Sequence, residues 1–392
     1  MAALLRTSLL LVFVIHAAVV AQTDTSCSHR ALNLTVGESG ISFGNSARNN
    51  GLRFNWSDDC LDMINGFNFT IWKPGEHVTG TVNGIAIGLL GPVAGRFNGV
   101  ALGIAGVGGE RGLNGISIGG LGVASSGDVV GVTIGGLGMF VNGDIAGISV
   151  GGLGCVSNGS ITGISFGSLG LVGKKGLSGI SFGGLGAVSD ARMTGLNCGG
   201  VGLVARGGLL GLNIGGLGAV ADGPVAGITI AGLALVGKEQ IVGLNIAGVA
   251  TVTEGTVSFL NISGAAIVGG GGVSGISFAG GAIVSGNDIA GVNVTLGELR
   301  SAASVTGVCV AGYRTKADCV SGLNINLITS QVQSVQGVII GTYNRVYNTQ
   351  KGLSVGIFNH ATELYGVQIG VVNYVENNPP LLRILPILNA HF

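Results

Sequence analysis

Charge is what this sequence has least of. Asp, Glu, Lys and Arg make up 9% of its 392 residues, against roughly 25% in an ordinary globular domain. The 18 basic and 18 acidic residues balance, so there is no basic stripe for nucleic acid and no acidic tail. Six prolines are too few for collagen or a proline-rich linker. Outside the first 21 residues the histidines are His29, His77, His360 and His391, none with a metal partner at ligand spacing. There is no CxxC pair, and GxSxG strings such as Gly147-Ile148-Ser149-Val150-Gly151 recur as part of the repeat, so they do not read as a nucleophile elbow. Glycine runs such as Gly106-Val107-Gly108-Gly109 lack a following Lys-Ser/Thr, so they do not read as phosphate loops. Acidic residues in the body, such as Asp128, Asp144, Glu239 and Glu254, are scattered rather than paired. We therefore assign no catalytic, cofactor-binding or metal-ligating residue, expect no cofactor, and do not expect an enzyme.

Glycine and aliphatic residues fill the space. There are 78 glycines, and 47% of residues are hydrophobic, which excludes disorder through lack of apolar content. Val, Ile, Leu and Ala dominate, and aromatics are 5%. β-branched residues with glycine point to closely stacked extended backbone.

The period is 16 residues. Glycine opens a unit at 99, 115, 131, 147, 163, 179, 195, 211, 227 and 243, and again at 275, 291 and 307. Phe259 is the single exception in that register. Several columns keep their chemistry. The third holds Ser, Thr or Asn, from Ser117 to Asn293; the tenth is Val over most of its length; the fifteenth is always apolar, from Val129 to Ile289. Apolar residues at positions two and four alternate with the polar third, as in a strand. Turn residues such as Asn142-Gly143-Asp144 follow, and the Gly-Gly pair at positions five and six supplies a second corner.

This pattern predicts an all-β, glycine-rich repeat β-solenoid with about 16 residues per coil. Like residues would stack about 4.8 Å apart, and the polar column could bond along the ladder. An antiparallel meander or an outer-membrane β-barrel is the alternative. Residues 145–156 are long enough to span a bilayer as one strand, and the chain ends in Phe392. Missing aromatic girdles argue against a barrel. Whether the third column points in or out stays open.

Boundaries follow from the register. Residues 1–21 read as a signal peptide, with apolar Leu9–Val20 and small Ala21 before Gln22; an uncleaved membrane anchor is the alternative. Residues 22–83 lack the period and suggest an N-terminal cap region, with Trp56, Trp72 and an acidic group of Asp58, Asp59 and Asp62. That group suits a solvated, capping turn better than a calcium site. The strict block runs 84–306, shorter-period repeats 307–378, and a C-terminal strand or cap 379–392. Cys27 with Cys60, and Cys309 with Cys319, are pairings that would close the two ends of the block; connectivity stays open. Cys155 and Cys198 read as small buried apolar residues. Six Asn-X-Ser/Thr sequons stand at Asn33, Asn55, Asn68, Asn158, Asn261 and Asn293.

The segments GLSVGIFNHA and GVQIGVVNYVENN, within residues 352–378, resemble the bacterial surface-repeat proteins, a family first described from leptospiral surface proteins. The resemblance is clearest over about 55 C-terminal residues and carries no catalytic residues. It implies export to a bacterial envelope: cell surface, outer membrane or extracellular space. The functional expectation is a non-catalytic, exported surface or structural repeat protein, adhesive or partner-binding. Its partner is open, with the cell envelope or self-association in view. An outer-membrane barrel or pore, and a repetitive ligand-binding face built on the Ser/Thr/Asn column, are the alternatives.

Overall fold

The computed structural model describes residues 30–72, 75 and 78–392. The stretch expected to be a leader, Cys27, His29 and His77 lie outside the described residues. The chain forms a β-solenoid of about 19 turns, a rod on the order of 90 Å long at the coil-to-coil spacing of parallel strands.

Each regular coil has two strands. In one unit these are Ile145–Gly151 and Gly154–Ser157. Residues 145–156 are thus two strands with a corner between them. Every strand in the block pairs in parallel with its equivalent one coil away, so that Ile145 meets Ile161 and Ser149 meets Ser165. A barrel or meander needs antiparallel neighbours; both alternatives are overturned by this pairing. Antiparallel pairing occurs at the two ends. Ala31–Val36 lies antiparallel on Ser39–Gly44 at the start, and Ile384–His391 on Tyr343–Val375 at the finish.

The parallel stack extends beyond the strict period. Ser39–Gly44, Arg48–Asn55, Met63–Thr70 and Thr81–Gly88 already stack in register. Their column glycines, Gly40, Gly51, Gly66 and Gly84, pair in sequence. Most of the expected cap region is therefore solenoid with coils of unequal length, and among the described residues the hairpin strand Ala31–Val36 closes the end.

Column one explains its glycines. Its φ values are positive, for example +117° at Gly131 and +104° at Gly179. A Cβ built on Gly179 would sit 2.3 Å from the carbonyl oxygen of Gly163 in the coil before. The column-one glycine thus lets the strand bend in its middle while adjacent backbones stay in contact. Position six is tighter: a Cβ on Gly152 would lie 1.7 Å from the Gly136 carbonyl oxygen.

The core is thin. The fifteenth column is buried from Val129 to Val305, and the ninth adds Met139, Cys155, Leu171 and Leu203. Gly179→Ala should lower stability by about 2 kcal/mol, through backbone strain and the clash with the preceding coil. Exposed Thr162→Ala should stay within about 0.5 kcal/mol. Denaturant unfolding of the two variants tests whether column one is a steric requirement.

Candidate functional site

The alternation at positions two, three and four resolves in one direction. The polar third column points inward: Ser149, Asn197, Asn213, Asn245 and Asn293 each have 0% exposure. The apolar residues around it point outward. Ile148, Ile164 and Ile180 at position two are 43–48% exposed. Phe166 and Phe182 at position four stack outside with ring centroids 5.1 Å apart. Leu137, Leu153 and Leu169 at position seven are about half exposed, and Val204 and Val220 at position ten face solvent as well. The rod is polar along part of its interior and aliphatic over much of its exterior. A Ser/Thr/Asn ligand-binding face is overturned, because that column is sealed inside.

Inside, polar groups meet along the axis. Ser149 Oγ donates to Ser165 Oγ at 2.8 Å. Asn197 Nδ2 donates to Asn213 Oδ1 at 3.0 Å, and Asn245 Nδ2 to Asn261 Oδ1 at 2.9 Å. A buried amide is tolerated when it finds such a partner. In the C-terminal coils Asn344 donates to Asn359 and Asn359 to Asn373, each at 2.8 Å. The asparagines of these C-terminal coils are thus rungs of an internal ladder.

From Gly115 to Gly297 charge is confined to one ridge. All twelve charged residues there fall at positions twelve to fourteen. Many are paired along the axis. Arg206 meets Asp190 at 3.2 Å and Lys238 meets Asp222 at 2.8 Å. Asp144 accepts from the Ser160 amide at 2.6 Å and hydroxyl at 2.9 Å. The backbone hydrogen bond from Ser160, followed by its hydroxyl, holds the Asp144 carboxyl below the usual carboxylate range. The Ser304 hydroxyl, followed by its backbone amide, lowers Asp288 likewise.

The other residues of interest fall elsewhere. Asp58 is buried in an ion pair with buried Arg53, and also accepts from Asn55 and Thr70, each at 2.7 Å. Asp62 pairs with Arg48. The acidic group therefore serves internal partners; its reading as a solvated capping turn is corrected for Asp58. Among the described residues no three His, Cys, Asp or Glu converge as metal ligands. His360 lies 3.4 Å from Glu376, and His391 hydrogen-bonds Asn378. A groove of about 620 Å³ near the C-terminal end is lined by Cys319, Lys351, Glu363 and Tyr365, with Thr349 donating to Glu363 at 3.2 Å.

Cys60 is disulfide-bonded, whereas Cys309 and Cys319 are free. That second pairing is overturned: Cys309 is buried in the inner column and pairs across the ladder with Asn324, while Cys319 lies opposite Ser304. Cys155 is buried as expected, but Cys198, at outward position four, is only half-buried. Of the sequons, Asn55, Asn68, Asn261 and Asn293 are buried, Asn33 is exposed and Asn158 half-buried. No family model, curated protein or solved structure matches the chain.

Burial pushes the thiols of Cys155 and Cys309 up to about 11. In the folded protein a thiol reagent at about pH 8 should label Cys198 and Cys319 and leave these two until unfolding; peptide mapping reads this directly. Acid should act on the ridge. A lowered carboxyl pKa contributes stability above the unfolded value of about 3.9, and loses it as pH falls through the folded value. The stability difference between wild type and Asp144→Asn should therefore shrink below about pH 4, as thermal unfolding across pH would show.

Proposed function

We propose that this chain is a non-catalytic structural rod, exported and held at the cell surface, that works by side-on apolar contact. The observation that carries this reading is the exterior: ribs of Ile, Val, Leu and Phe from coil to coil, with charge gathered on a single ridge between Gly115 and Gly297. Monomeric soluble proteins rarely expose contiguous apolar area beyond a few hundred Å². Ribs of this length point to a covered surface. A regular rod also repeats one shallow contact many times, which suits scaffolding and adhesion better than chemistry.

Export is supported by the apolar leader-like run Leu9–Val20 and by the disulfide at Cys60, a bond of oxidising compartments. The likeness of residues 352–378 to bacterial surface-repeat proteins points the same way. The outer-membrane pore reading has no support left, because it needed a barrel.

Ile148→Thr, Ile164→Thr and Ile180→Thr together test the proposal. Thr keeps the β-branch, so the strand should hold, while apolar area leaves one face. In the source cell the wild type should remain with the surface fraction and come off in detergent. The triple variant should be released into the medium at least several-fold more, with unchanged circular dichroism. Equal retention of a folded triple variant would sink the reading, as would wild type found in the cytoplasm with its leader uncleaved.

A further inference from the structure

Column one is glycine in the regular block except at Phe259. This residue carries three costs at once. Its φ is +82°, a region that bulky L-residues avoid. The ladder to the next coil passes from Val257–Val273 to Leu260–Ile276 and skips Ser258 and Phe259. The ring is also 68% exposed, so burial in its own chain returns little. Backbone strain of this kind persists only where the surrounding structure holds it, and it clusters at sites that bind or switch.

We infer that Phe259 is a docking peg, and that its socket is the glycine column of a second copy of this chain. The inference rests on the apolar-contact reading above and names the partner. A ring projecting from a flat rod needs a cleft free of side chains. Column one offers a backbone stripe free of side chains, with glycine in every coil from Gly115 to Gly243. Peg and slot thus lie on one molecule, as a two-fold, self-complementary contact requires. When the faces overlap fully from Gly115 to Gly307, the axis falls at the Gly211 coil, and Phe259 comes to Gly163 of the second copy.

Area and charge favour a second copy. Thirteen coils at about 4.8 Å and five positions at about 3.3 Å each give a face of about 1,000 Å². A stable interface needs about 800 Å² per partner. Positions sixteen to four bear no charge between Gly115 and Gly297, and the whole chain is net neutral, so two copies meet without repulsion. A lipid surface fits less well. Between Gly115 and Gly297 there is no Trp or Tyr, and the ridge holds seven acidic against five basic residues, whereas interfacial anchoring uses aromatic and cationic groups.

Sedimentation velocity over a concentration series, paired with thermal unfolding, decides the matter in the full chain. Wild type should dimerise. Phe259→Gly should weaken dimerisation at least tenfold while raising the thermal midpoint, because glycine relieves the φ strain. Phe259→Ala keeps the strained backbone without the ring, and should weaken dimerisation without that gain. Undiminished dimerisation of both folded variants would overturn the peg. A fall in both midpoint and dimerisation for Phe259→Gly would also overturn it, since the ring would then be holding its own coil. Wild type monomeric at every concentration would overturn the choice of partner, and phospholipid vesicles then replace the second copy as the probe. The Ile148, Ile164 and Ile180 retention assay stands apart from all three outcomes and judges the apolar-contact reading alone.

Discussion

Backbone contact between successive coils is the constraint on which the structure depends. Parallel hydrogen bonding places each coil about 4.8 Å above the last. At column one and position six the approach is closer than a Cβ permits. Glycine holds nearly all of these positions, with Phe259 in column one and Ser168 and Leu296 at position six as the exceptions between Gly115 and Gly307, and stacking in turn fixes the period. An added or lost residue would move the fifteenth column out of the core and the charged ridge off its line. The thin core follows as well. With little interior volume, the rod fills it with one aliphatic column, a second of mixed size, and small polar side chains that can bond to their own kind.

That economy explains the inverted surface. In a thicker domain, Ile at positions two and four would have a second layer to pack against. Here the strand has only its own coil behind it. Small Ser, Thr and Asn fit the inner side, where pairs such as Ser149–Ser165 and Asn197–Asn213 bond along the axis while others, such as Thr229 and Ser277, are buried without a partner, and the bulky chains are turned outward. Each outward rib is shielded by the identical residues above and below, which is why exposure of Ile148 and its equivalents stops at about half. The charged ridge keeps its pairs along the same axis, as with Asp222 and Lys238.

Much of this was legible in the sequence. The period, the parallel stacking and the identity of each column follow from residue spacing alone. Alternation at Ile148-Ser149-Val150 shows that two sets face opposite ways, but not which set is inside, because the rule that apolar means buried assumes a second layer. The same gap misplaced Cys198, whose position-four column looks like core by composition. Residues 30–88 hid their coils because the steps between Gly40, Gly51, Gly66 and Gly84 are unequal, and the column is visible only through pairing. The Arg53–Asp58 pair could not be foreseen: Arg53 stands in the inner polar column, where no later coil places a charge, and Asp58 reaches it from a turn.

Uniform coils also bear on how such a chain changes over generations. Removing sixteen residues anywhere in the block takes out one slice and rejoins the same ladder, glycine to glycine and isoleucine to isoleucine. Removing fifteen shifts every column beyond the cut. Rod length is therefore a quantised trait, free to lengthen or shorten by whole slices through unequal recombination between near-identical units, while its cross-section stays conserved by geometry.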